Sequence, residues 1–176
     1  PYRRQRQMCK ETDSYAPIQL SRYVTTVANS GTCYDLTLID QVKDVNGNVI
    51  LDNHAKVRNT VNIANSTWKA VHNGMYRVVN GSRSSIGSMF SGMKVKIAGK
   101  TGTAQQSKLH ANHAYFVSYA PYKNPEISVT CVIPNGFTSS NAAQTARDVY
   151  KYYFSKNKKK VSGKIKMPES NTTHTD

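Results

Sequence analysis

Apolar positions recur at helical spacing in three stretches of the chain. Leu20, Tyr23, Val24, Val27 and Ala28 fall on one face of a 3.6-residue repeat. Ser14-Tyr15-Ala16-Pro17 opens that helix, with Pro17 suited to its first turn. Asn29-Ser30-Gly31 closes it, and Gly31 is free to take a left-handed cap. Trp68, Val71, Met75, Val78 and Val79 predict a second helix, capped by Asn65 or Ser66 and running to about Val79. Ala142, Ala146, Val149, Tyr150 and Tyr153 predict a third, beginning at Ser140.

Between the helices the period changes. Leu36-Thr37-Leu38-Ile39 and Val49-Ile50-Leu51 flank Asn46-Gly47, the preferred pair for a tight hairpin turn. Residues 80–92 are rich in Gly and Ser and read as a loop. That loop delivers the chain to a strand expected over Lys94–Gly99, with Val95 and Ile97 pointing to one face. Two further apolar runs, 114–121 and 127–133, read as strands joined by a short turn, Pro121 closing the first. Three successive strands make an antiparallel meander with the Lys94–Gly99 strand at one side. The expected class is α/β in the α+β sense, an antiparallel sheet flanked by helices.

Composition then sets the limits. A chain of 176 residues is enough for one domain with a core. Hydrophobic residues make up only 38%, and the polar ends account for much of that deficit. Residues 1–13 give no fold signal, residues 14–155 carry the domain, and residues 156–176 are basic and polar and read as disordered. No apolar run is long enough to span a membrane. The net charge of +14 brings a nucleic-acid partner into consideration. The charge is concentrated, however, in Arg3, Arg4, Arg6 and Lys10 and in the Lys-rich stretch after Ser155, which reads as solvated tail. Cys9, Cys33 and Cys131 have neither metal-ligand spacing nor a disulfide framework, and Cys131 reads as a small buried hydrophobe. His110 and His113 lack a third ligand nearby, so no metal and no cofactor is expected.

The chemistry concentrates in Ala98-Gly99-Lys100-Thr101-Gly102-Thr103-Ala104-Gln105, where the strand is expected to run into a small cationic corner. Lys100 supplies a point charge at the strand's end. Thr101 and Thr103 lie two apart, so their hydroxyls share a side. Gly102 lets a ligand or a backbone approach closely. One ammonium, two hydroxyls and an open backbone suit an anionic, peptide-like ligand: the first three can hold a carboxylate, and a free N–H can face a reacting carbonyl oxygen.

Lys-Thr-Gly alone is a weak motif, but the run 98–105 after a strand pattern resembles the third motif of the penicillin-binding proteins. The stretches 15–31, Thr67-Trp68-Lys69-Ala70-Val71 through Gly74-Met75, and 113–121 are similar to the same family, covering residues 14–155. The resemblance implies the C-terminal part of a class B D,D-transpeptidase domain of peptidoglycan synthesis. Such a domain acylates a serine with the D-Ala-D-Ala end of a stem peptide and is trapped by β-lactams, so both are the implied partners. By resemblance Lys100 joins the proton-transfer network, Thr101 and Thr103 bind the terminal carboxylate with Gly102 between them, and the Thr103 backbone N–H forms half of an oxyanion hole. The family works on the outer face of the bacterial membrane.

The resemblance also implies what to look for elsewhere. The family's nucleophile, in Ser-x-x-Lys, lies well over a hundred residues upstream of Lys-Thr-Gly, so this chain is expected to be inactive alone. Ser66-Thr67-Trp68-Lys69 matches that string but lies on the wrong helix and too near Lys100. Ser139-Ser140-Asn141 matches the second motif, Ser-x-Asn, but follows Lys-Thr-Gly, at a helix start where Ser and Asn act as caps; Ser155-Lys156-Asn157 is a tail match. The family's five-stranded sheet would lack its first two strands and the nucleophile helix here, leaving strand 127–133 with an open apolar edge and a tendency to self-associate. Two other classes remain as alternatives: a basic module for nucleic acid or another anionic polymer, and a β-lactamase-like hydrolase, which shares Lys-Thr-Gly.

Overall fold

The computed structural model describes residues 15–105 and 109–155. The N-terminal stretch 1–13 and the tail 156–176 expected from composition therefore lie outside the described residues, as do Cys9 and Ser14. Helix α1 spans Pro17–Ala28 with Pro17 in its first turn. Its N-cap is Ala16, whose N–H is taken by the Gln19 side chain at 2.8 Å, so a side chain three residues on replaces an N-cap oxygen. Ser30 and Gly31 both adopt positive φ after it. At Gly31 (φ +105°) a Cβ would come within 2.4 Å of the Val61 carbonyl oxygen, so only glycine fits that return.

Four short strands follow, in two separate ribbons. β1 (Thr32–Tyr34) pairs antiparallel with β4 (Val57–Thr60), and β2 (Gln41–Lys43) with β3 (Val49–Asp52). The expected hairpin around Asn46-Gly47 is present, but its first strand is Gln41–Lys43, not residues 36–39. The turn decides this. Asp44 Oδ1 accepts from the Asn46 and Asn48 N–H groups at 2.9 and 2.8 Å, and Gly47 takes φ +87°. The loop thus closes at Asp44 and Asn48, and only the residues next to it can enter the ladder. Leu38 is left almost fully exposed.

Helix α2 (Asn65–Asn80) carries the expected face, yet only Val79 on it is buried. Neither Asn65 nor Ser66 caps it: Ala64 is the N-cap and no side chain accepts there. A loop with a short 3-10 turn (Gly87–Phe90) leads to the central sheet, ordered β5 (Ala98–Ala104), β6 (His113–Ala120), β7 (Ile127–Ile133), all antiparallel. The meander is as the pattern indicates, with β7 matching residues 127–133. Helix α3 (Ser139–Tyr153) closes the described residues. Its cap is Thr138, accepting from the Ser140 N–H; Asn141 instead donates to the Gly136 carbonyl at 2.9 Å.

The two faces of the sheet follow from its register. Ala98 pairs with Tyr119 and Ser128 with Tyr119, so these residues face one way. There α1 and α2 cover them, with Val24, Ala98 and Tyr119 buried together and Thr25 Oγ1 2.9 Å from Ser128 Oγ. On the opposite face Phe116 and Ala114 pack with Ala142, Ala143, Ala146 and Tyr150 of α3 and with Ile86, Phe90 and Ile97. Within this core Tyr150 OH donates to Ser118 Oγ at 2.8 Å, so the buried Ser118 hydroxyl is satisfied. Burial pushes the Tyr150 hydroxyl pKa well up. Cys131 is half-buried beside this core, and burial raises its thiol pKa, as expected for a thiol used as a hydrophobe.

Candidate active site

The Lys-Thr-Gly run does not lie beyond a strand; it is the strand. β5 begins at Ala98 and passes through the motif to Ala104, each residue paired with β6 from Tyr119 to His113. Of the expected strand Lys94–Gly99, only Ala98 and Gly99 belong to β5, and residues 94–97 precede it. Their backbone is held otherwise: Tyr122 N–H donates to Lys96 O at 2.8 Å, and the Asn80 amide donates to Ile97 O at 2.7 Å. The longer apolar run of β6 extends the ladder past the expected corner, and Thr, despite its polarity, suits a strand.

This placement fixes the directions of the motif side chains. Lys100 pairs with Val117 and Gly102 with Tyr115, on the face shared with Ala98 and α1. Thr101 and Thr103 pair with Phe116 and Ala114, on the α3 face. The two threonine hydroxyls thus share a side, as their spacing requires, and Lys100 stands on the other. The Thr101 and Thr103 amides also share one edge of β5, by the same two-residue period. Lys100 is exposed and its ammonium donates to the Thr101 carbonyl at 2.8 Å, so the cation is folded against its own strand. β6 is the only strand beside β5 among the described residues, which leaves its other edge without a strand partner.

Glycine matters at two motif-strand positions. A Cβ at Gly99 would meet Phe116 Cζ at 2.6 Å, so the strand and the core ring are in contact there. A Cβ at Gly102 would lie 3.3 Å from Tyr115 Cβ, a tight approach on the Lys100 face. Asn80 is a positioning residue that the sequence reading missed. As the last residue of α2 it clamps Ile97 immediately before β5 and also bonds the Tyr76 carbonyl at 3.0 Å. An Asn ending an apolar helix face was the available clue.

The structure does not bring the rejected strings to the motif strand as a catalytic group. Ser66 lies exposed in the first turn of α2. Ser139-Ser140-Asn141 forms the first turn of α3, across the core. His113 sits on β6, its Nδ1 accepting the Asn135 N–H at 2.9 Å. Among the described residues no group of three or more His, Cys, Asp or Glu could hold a metal.

Residues 7–151 match the penicillin binding protein transpeptidase domain. The chain belongs to that family. It is 34% identical over 153 residues to penicillin-binding protein 2B of Streptococcus pneumoniae, covering 80% of this chain and 22% of the relative. It is equally 34% identical to the peptidoglycan D,D-transpeptidase MrdA of Haemophilus influenzae, over 78% of this chain and 23% of that protein. The solved structure of penicillin-binding protein 2B from S. pneumoniae R6 superposes with a TM-score of 0.69 at 31% identity, covering 81% of this chain and 26% of that one. Penicillin-binding protein A of Mycobacterium tuberculosis, solved as an imipenem acyl-enzyme, has the same fold at a TM-score of 0.70, with 20% identity, covering 81% of this chain and 31% of that one. The expected mixed helix and antiparallel sheet architecture of a partial transpeptidase domain therefore stands. The chain spans less than a quarter of the length of the curated relatives just named. The basic polymer-binding and β-lactamase-like readings are not favoured by these matches.

Proposed function

We propose that this segment forms the Lys-Thr-Gly wall of a serine D,D-transpeptidase site that binds β-lactams and the D-Ala-D-Ala end of a peptidoglycan stem peptide. One observation carries the reading: a strand at the side of the sheet presents an ammonium, two hydroxyls on one side and a tight glycine between them. A peptide terminus laid along that edge meets the Thr101 and Thr103 hydroxyls with its carboxylate. The Lys100 ammonium adds the positive charge and takes part in proton transfer. The Thr103 N–H stabilises the oxyanion that develops when a serine attacks the penultimate carbonyl. An ester bond then forms to that serine, the peptide bond breaks, and D-Ala leaves with the proton; an amine of a neighbouring stem peptide completes the transfer.

The serine itself is supplied from outside this segment, and the site works on the outer face of the membrane. No helix among the described residues is long and apolar enough to cross a membrane. The experiment is intact mass after incubation with a reactive penicillin. The segment alone is expected to gain no penicilloyl group, whereas an intact transpeptidase containing it is labelled. In that intact protein Lys100→Ala abolishes labelling. A penicilloyl serine mapped to Ser66 in the segment, or normal labelling of Lys100→Ala, overturns the assignment.

A further inference from the structure

Part of one long acid-free stretch of the chain, between Gly74 and Ile97, lines a surface outside the motif strand. Residues 53–125 contain no Asp or Glu, while Lys and Arg recur throughout. Within it, α2 ends in a sharp return. The Gly81 N–H closes on the Arg77 carbonyl at 2.9 Å, and a Cβ at Gly81 would come within 2.5 Å of that oxygen. The Ser84 hydroxyl donates to Val78 O and holds the loop down. This return brings Arg83 back beside Arg77, and both line one polar cavity together with Ser82 and Ser85. Neither arginine has an acidic partner among the described residues. The cavity extends to Gly74, where a Cβ would meet nothing within 4 Å. A glycine inside a helix costs about 1 kcal/mol against alanine, and no packing contact here explains it. Its bare backbone leaves room for a ligand beside Arg77.

A second polar cavity adjoins the first. It shares Gly81, Ser82 and Ser84 with it and continues past Ser88 and Ser91 to Lys96, two residues before β5. The two together form a groove of cations and hydroxyls with no acidic lining residue. Cations line both of the joined cavities, Arg77 and Arg83 in one and Lys96 in the other, which suits a chain of anions rather than a single ion. The arginine forks and serine hydroxyls suit phosphate oxygens. The one aromatic residue lining either cavity, Phe90, is buried, so the groove offers no platform for stacked bases.

We propose that the groove from Arg77 and Arg83 to Lys96 binds a base-free phosphodiester polymer. This is a second ligand, independent of the peptide-binding role of β5. The test is fluorescence anisotropy of a labelled glycerol-phosphate oligomer on the full chain at 150 mM salt. The basic ends give every variant the same background, so charge-matched controls carry the comparison. Arg77→Ala/Arg83→Ala and Gly74→Glu are each expected to weaken binding at least tenfold. The control pair Lys43→Ala/Lys56→Ala, both exposed and lining neither cavity, should change it less than threefold. Circular dichroism melting confirms that each variant folds. Equal losses in groove and control variants would overturn the site. Equal affinity of poly-glutamate would overturn the phosphate assignment, and equal or tighter binding of single-stranded DNA would overturn the base-free one.

Discussion

The motif strand is held by contacts that can be tested one residue at a time. Gly99 sits against Phe116, which is fully buried and packs on Phe90 with ring centroids 5.9 Å apart. A methyl at Gly99 has no free direction, because the ring it meets at 2.6 Å is itself enclosed. Gly99→Ala is therefore expected to lose about 1–3 kcal/mol, read as a lower urea midpoint with unchanged slope. On the opposite face Tyr119 is wholly buried and its hydroxyl has no partner among the described residues. Burial, with a smaller contribution from Tyr122, pushes its pKa up to about 12 from a usual 10.0. The sign follows from which form the fold tolerates. The folded chain favours the neutral phenol, so the contribution is intact below pH 10 and is lost as pH rises towards 12. Tyr119→Phe should make the urea midpoint fall less steeply across that window. At pH 7 it should cost little, since it removes an unpaired hydroxyl rather than a bond. An unchanged alkaline slope would show that another group governs it.

At the scale of elements, what could be read in the sequence tracks how local its cause is. β6, β7 and the three helices were legible because each is a periodic or continuous apolar run whose period is its own. The start of β5 was not. Ile97 is buried like a strand residue, but its carbonyl is taken by Asn80 from a helix 17 residues earlier, so the ladder begins one residue later. Nor was the β1–β4 ribbon, since three- and four-residue strands joined across 22 residues leave no pattern in either partner. The motif residues were legible as types and spacing; their place inside a strand was not, because β6 sets that length. The β2–β3 ribbon lies between these cases, with its turn written locally and its strands chosen by the turn. Asp44 is the test. Its carboxylate accepts from Asn48, foremost through the Asn48 side-chain amide at 2.9 Å, and these bonds hold its pKa below the usual 3.8. A depressed carboxylate contributes above its unfolded pKa and loses that contribution as pH falls through the folded one. The Asp44 carboxyl should therefore titrate below 3.8 by NMR. Asp44→Ala should broaden the amide resonances of residues 41–52 while leaving β5–β7 unchanged, because that ribbon is a sheet of its own.

For the whole molecule the open question is what lies beside the sheet's outer strand. β7 pairs with β6 alone among the described residues, and all seven of its residues are only half-buried. It is apolar over Ile127, Val129, Cys131, Val132 and Ile133, and it carries no charge and no proline of its own, which are the usual guards of an edge. Such a strand can pair with its copy in a second molecule. The net charge of +14 opposes that approach over roughly a Debye length, about 10 Å at 0.1 M salt, so the balance is set by ionic strength. Sedimentation velocity is expected to give a monomer at low salt and a growing dimer or larger species as salt is raised, opposite to the behaviour of an ion-paired complex. Val132→Lys puts a charge on the strand, on the face it shares with Ser128 and Thr130. It should keep the chain monomeric at salt concentrations where the parent associates. The exposed Tyr23 on α1, 63% accessible, is the rival contact. If Tyr23→Lys prevents association and Val132→Lys does not, the helix face and not the sheet edge joins the molecules; a parent that stays monomeric at every salt concentration would remove both.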